Sequence, residues 1–130
     1  MSANSLARTV VVTVLALTLG ACAATPPGNV VPITGVKAIA GSWVGTVMTQ
    51  MNRQLFSKMT ITETGTDKGA IEGFVEGDFF TATLSIKGGT GETETADGRL
   101  GTMTLYLRDG KQVLSTYTTP GLRGEYNRAP

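Results

Sequence analysis

From Gly41 onward the chain alternates apolar and polar residues with a period of two. In residues 54–62 (QLFSKMTIT), Leu55, Met59 and Ile61 alternate with Phe56, Lys58, Thr60 and Thr62. In 79–87 (FFTATLSIK), Phe80, Ala82, Leu84 and Ile86 alternate with threonine, serine and lysine. In 102–108 (TMTLYLR), Met103, Leu105 and Leu107 alternate with Thr102, Thr104, Tyr106 and Arg108. One apolar face against one polar face is the pattern of half-buried antiparallel strands. Turn residues punctuate the runs: Asp97-Gly98, Asp109-Gly110, Gly77-Asp78, and glycine-rich stretches at 65–69 and 88–91. The spacing predicts about eight strands, at 41–50, 54–63, 70–76, 79–87, 92–96, 99–108, 111–118 and 121–128. The fold class is therefore all-β, a small antiparallel up-and-down meander. Such a meander hides its two edges by closing into a barrel. Glycines inside the strands (Gly45, Gly73, Gly101, Gly124) ease the bending that closure needs. A two-sheet β-sandwich accommodates the same strands and is the alternative.

The pattern fails before residue 41. Residues 10–19 (VVVTVLALTL) form an apolar run behind a polar start that carries Arg8. Ten residues of helix rise about 15 Å, half of a ~30 Å hydrocarbon core. The run is too short to span a bilayer and matches the apolar segment of a secretory signal. Two small residues, Gly20 and Ala21, lead from it to Cys22, the only cysteine. Leu19-Gly20-Ala21-Cys22 resembles the lipobox of bacterial lipoproteins. The resemblance implies signal cleavage between Ala21 and Cys22, a diacylglyceryl group on the Cys22 thiol, and in many bacteria a further acyl chain, such as palmitate, on the new amine. Several acyl chains hold a protein on a membrane much more firmly than one. Ala23, rather than Asp, follows the cysteine, which in a Gram-negative host implies transfer to the outer membrane. The chain then divides into a cleaved signal (1–21), a lipidated cysteine and flexible tether (22–38), and a barrel domain (39–130). The tether is inferred from its three prolines and two glycines.

Composition narrows the chemistry. Lys and Arg number 11 against 10 Asp and Glu, so no strong field draws the chain to nucleic acid. With one cysteine and no histidine, Cys/His zinc sites, Cys–His pairs and Ser–His–Asp triads are excluded. The carboxylates are spread singly. Glu92 and Glu94 share a strand face, but a glycosidase also needs a cleft long enough for sugar. The glycine-rich stretch 88–91 has no helix after it to hold a phosphate. The sequence leads to a non-catalytic protein with no metal and no cofactor.

One resemblance lies within the domain. Gly41-Ser42-Trp43 opens the first strand, and Arg123 and Arg128 lie in the last. This is similar to the lipocalin-like (calycin-type) barrel, and avidins begin a barrel in a similar way. The resemblance implies an arginine stacked on Trp43 to cap the closed end, with Arg128 or Arg123 as the partner. The sequence departs from the family at Ser115-Thr116-Tyr117, where lipocalins carry Thr-Asp-Tyr.

The expected function is a membrane-anchored cell-envelope binding module for a small apolar ligand or an envelope component. One alternative is an interaction lipoprotein with a filled barrel that docks on another envelope protein. Phe56, Phe74, Phe79 and Tyr106 fall on the outward parity and are its candidate interface. A second alternative resembles the small barrel inhibitors of secreted bacterial metalloproteases, with residues 23–40 as the inhibitory arm; the disulfide usual in that family is missing here.

Overall fold

The structure, a computed structural model, describes residues 28–130. The predicted signal, Ala21 and Cys22 lie outside the described residues. Nine strands form one antiparallel sheet: β1 (Asn29–Val31), β2 (Gly41–Met48), β3 (Gln54–Gly65), β4 (Lys68–Val75), β5 (Asp78–Lys87), β6 (Thr90–Thr95), β7 (Leu100–Arg108), β8 (Lys111–Thr118) and β9 (Leu122–Arg128). Strands β2 to β9 pair in sequence order. β2 pairs with β3 on one side and β9 on the other, which closes the sheet into an eight-stranded barrel.

The turns follow from their sequences. Asp109 and Gly110 both adopt positive φ, as do Glu76 with Gly77 and Gly88 with Gly89. Two successive left-handed residues make the hairpin turn whose twist matches that of the strands. The turn expected at Gly77-Asp78 sits one residue earlier, because Asp78 already pairs with Val75.

The barrel has two unlike ends. At one end lie the turns 66–67, 88–89 and 109–110; at the other lie 49–53, 76–77, 96–99 and 119–121. The first end is shut by the segment before β2. β6 is short and pairs only with the first part of β7, from Glu94↔Leu100 to Gly91↔Met103. β1 takes the rest of that edge, from Val31↔Leu105 to Asn29↔Leu107. The chain then bonds to Gly89 through the Ile33 N–H at 2.8 Å and crosses the barrel end as a 3₁₀ turn, Val36–Ala38. Ile33, Val36 and Ile39 are buried against Trp43, Ile61 and Leu84. Burial of each such side chain is worth roughly 1.5–3 kcal/mol.

This moves the domain boundary. Residues 29–38, expected to be tether, are part of the folded body. Proline and glycine disfavour a central strand, but they suit a three-residue edge strand followed by a single tight turn. The same docking ties down most of the segment considered as an inhibitory arm.

Candidate ligand cavity

Trp43 is completely buried at the closed end, where its indole N–H donates to the Ile39 carbonyl at 2.9 Å. Arg128 covers the ring, with its guanidinium carbon 4.3 Å from the ring centre. The same guanidinium donates to the carbonyls of Ala38 and Ala40, and its Nε donates to Gln112. The arginine thus fastens the closing segment to the ring that the segment covers. Arg123, the other candidate, faces outward and stacks on Tyr117 at 5.6 Å. The two arginines are five positions apart, an odd spacing that puts them on opposite faces: Leu122, Gly124, Tyr126 and Arg128 share the inward parity, and Arg123 does not.

The opposite half of the barrel is hollow. It holds a cavity of about 520 Å³ that opens between the turns at the other end. The filled barrel raised as an alternative describes only the closed half. Trp43, Leu84 and Leu105 do pack solidly, whereas Met59 lies where the packed half meets the cavity. Val75 is only partly buried, on the cavity wall. The physical reason is the size of the inward residues. In the hollow half Gly73, Gly101 and Gly124 hold inward positions with no side chain to fill the interior, although the Phe80 ring lies over Gly73.

The cavity wall has two characters. On β2 to β5 it is formed by Val47, Leu55, Met59, Ile71, Val75 and Phe80, with Ala82 deeper in. On β6 to β9 it carries hydroxyls: Thr93, Thr95, Thr116, Thr118 and Tyr126, between Met103 and Leu122. The Tyr126 hydroxyl is 2.8 Å from that of Ser57, a polar side chain with no solvent exposure. Burial pushes the Tyr126 hydroxyl above its ordinary range, and the bond to Ser57 opposes that in part. Charged groups stay at the mouth: Arg53, Glu76, Asp78 and Arg99. There the Asp97 carboxyl is held below its usual range chiefly by the Thr95 hydroxyl, with Arg99 assisting.

Among the described residues no group of three His, Cys, Asp or Glu side chains is placed to hold a metal ion. No described helix is long and apolar enough to cross a membrane.

The architecture is that of a closed, eight-stranded antiparallel β-barrel, consistent with the calycin and lipocalin-like barrels in general. A solved structure described as a de novo designed fluorescence-activating β-barrel has the same fold, with a TM-score of 0.53 and 13% sequence identity over 72% of this chain and 96% of the design. No family model matches the chain, and no curated protein matches it.

The four outward aromatics expected to form an interface divide. Phe74 and Phe79 are partners across β4 and β5, with ring centres 5.4 Å apart, and the Lys58 ammonium lies 5.7 Å from the Phe74 ring. Phe56 lies nearby on β3, where its N–H donates to the Glu76 carboxylate at 3.3 Å. These three are 55%, 41% and 59% exposed for Phe56, Phe74 and Phe79, and Phe79 also borders the mouth. Tyr106 stands apart on β7, opposite Val30 and Val113 toward the closed end. The outward threonine rows of β3 and β7 are likewise on different sides of the barrel.

The residues that sequence reasoning missed are the cavity hydroxyls. Thr93, Thr116 and Thr118 are threonines in inward register, opposite Leu84, Met103 and Gly101 respectively. Threonine reads as outward by polarity, so only strand parity carries the signal. Tyr126 was legible in the same way, two residues before Arg128 on the same face.

Proposed function

We propose that this chain is a non-catalytic, lipid-anchored protein of the cell envelope whose barrel holds a small, largely apolar ligand in its open half. The observation that carries the reading is the cavity of about 520 Å³, apolar on half its wall and open at one end. Its volume falls in the range of small-molecule sites, roughly 300–1,000 Å³. The anchor is supported by Leu19-Gly20-Ala21-Cys22 behind an apolar run. In a Gram-negative host, Ala23 favours the outer membrane.

Protein purified gently from its native membrane and analysed by native mass spectrometry is expected to carry a bound small molecule, and an Ala82→Phe variant to carry none. A barrel that is empty both as purified and after incubation with extract of the host membrane overturns the ligand reading. The anchor is tested separately by growth with a clickable fatty acid. Label is expected on the native chain, and label retained by Cys22→Ser overturns the anchoring.

A second reading, docking on another envelope protein, is favoured by the exposed cluster of Phe56, Phe74 and Phe79. A photo-crosslinker at position 74 is expected to capture one defined neighbour in cells under that reading, and no discrete adduct otherwise.

A further inference from the structure

Resting on the ligand reading above, we infer that the cavity selects an uncharged molecule with hydrocarbon on one side and hydroxyl or carbonyl oxygens on the other. The division of the wall carries this. The side chains that line the cavity from β2, β3 and β4 (Val47, Leu55, Met59, Ile71, Val75) are hydrocarbon or thioether, the inward Ser57 of β3 being turned to Tyr126, whereas β6, β8 and β9 bring in hydroxyls. The hydroxyls are gathered on one side of the lumen, beside Met103 and Leu122, and the β2 to β4 side is apolar.

The hydroxyls are available. Thr95 is engaged with Asp97 and Arg99 at the mouth. Thr93, Thr116 and Thr118 make no side-chain hydrogen bond among the described residues, and each is only partly buried. The inward glycines set the space around them. A methyl group on Gly101 would stand 2.6 Å from Thr93 Oγ1 and 3.1 Å from Thr118 Oγ1. One on Gly124 would stand 2.5 Å from Thr116 Oγ1. The three oxygens therefore cluster over strand positions that have no side chain to cover them. Tyr126 and Ser57 add to this. The pair has two hydroxyl hydrogens and its mutual bond uses one, so one remains to be donated.

A purely hydrocarbon ligand would strip water from these hydroxyls and return nothing, and each stranded group costs binding. A molecule with oxygens on the facing side replaces the water it displaces. A charged molecule would leave its charge among Met59, Phe80 and Met103, because Arg53 and Arg99 stay at the mouth.

The test uses three fluorescent probes of one shape: pyrene, 1-hydroxypyrene at a pH where it is neutral, and pyrene-1-carboxylate. Each is titrated into the protein and followed by anisotropy. A cavity that recognises only apolar surface prefers pyrene, which water rejects more strongly. The expected order is the reverse, with 1-hydroxypyrene bound about tenfold or more tighter than pyrene and the carboxylate weakest. Thr116→Val with Thr118→Val should lower hydroxypyrene affinity by about tenfold and raise that of pyrene. The single variant Thr93→Val serves if the double variant melts early. Equal or better binding of pyrene overturns the selectivity and leaves the ligand reading standing. Tightest binding of the carboxylate overturns it in favour of an anion held by the mouth arginines. Binding of none of the three overturns both readings.

Discussion

Trp43 and Arg128 are partners across the β2–β9 ladder, and the arginine folds back so that its guanidinium lies over the indole of its own partner. Its hydrogen bonds to Ala38 and Ala40 make one side chain join β2, β9 and the segment that shuts the barrel. Lysine keeps the charge but lacks the planar fork that donates to two carbonyls while stacking. Arg128→Lys is expected to cost about 1–2 kcal/mol, combining a cation–π contact with lost hydrogen bonds. In a domain of this size that lowers the melting temperature by roughly 4–15 °C. An unchanged melting curve would show that the closing segment is held by its apolar residues alone.

The two halves of the barrel should respond oppositely to a change in volume. Leu84 is packed among Val36, Ile61 and their neighbours, so Leu84→Ala is expected to cost about 2–5 kcal/mol. Ala82 lies two residues away on the same face but borders the cavity. Ala82→Leu adds carbon to empty space, so denaturant midpoints should stay level or rise. A large loss at position 82 would mean that the hollow half is closed in solution.

Gly73 faces inward beneath the ring of Phe80, which lies across the glycine in place of a side chain. A methyl group there would sit 2.5 Å from the Lys58 carbonyl oxygen and 2.8 Å from the Phe80 ring. Gly73→Ala is therefore expected to cost about 1–3 kcal/mol by overpacking. Gly45→Ala should be worse, because its methyl group would collide with the Glu125 backbone. Adding Phe80→Leu to Gly73→Ala should recover part of the loss. No recovery in a double-mutant cycle would place the strain in the backbone instead.

Tyr126 sets an alkaline limit. Its hydroxyl is held above the ordinary value by burial. The unfolded chain releases this proton near pH 10 while the folded protein retains it. The stability from keeping Tyr126 neutral is thus fully present below about pH 10 and is lost as pH climbs toward the folded value. Melting temperatures measured between about pH 8 and 11 should fall more steeply for the native chain than for Tyr126→Phe. Parallel curves would mean that the phenol ionises in place.

The strands were legible because alternation and turn chemistry agree at nearly every position. The hairpin at Asp109-Gly110 is a direct case, with φ of 52° and 76° at the two residues that local sequence marks for it. Closure was legible through Trp43 and an arginine of β9, and strand parity separates Arg128 from Arg123. The segment 29–39 was not legible. Its prolines and glycines describe a chain that resists regular structure, and nothing local reveals the unpaired stretch of β7 edge that receives it. The cavity was hidden for a related reason. An empty volume is the absence of side chains from several strands at once, and Gly73, Gly101 and Gly124 meet around it only after closure.

β1 begins at Asn29, level with Leu107 at the shut end of the barrel, while the mouth lies at the far end. Only residues 23–28 separate Cys22 from that strand, a reach of about 25 Å even when fully extended. With Cys22 as the lipid anchor, the protein would stand on its closed base like a cup on a table. Its rim, with Phe56, Phe74 and Phe79 beside it, would face away from the leaflet that holds it. Cargo would then be received from water, or from a carrier or membrane opposite, rather than drawn up from the lipids underneath. Spin labels would register this polarity: one at Gly110 near the headgroups, one at Met51 well clear of them.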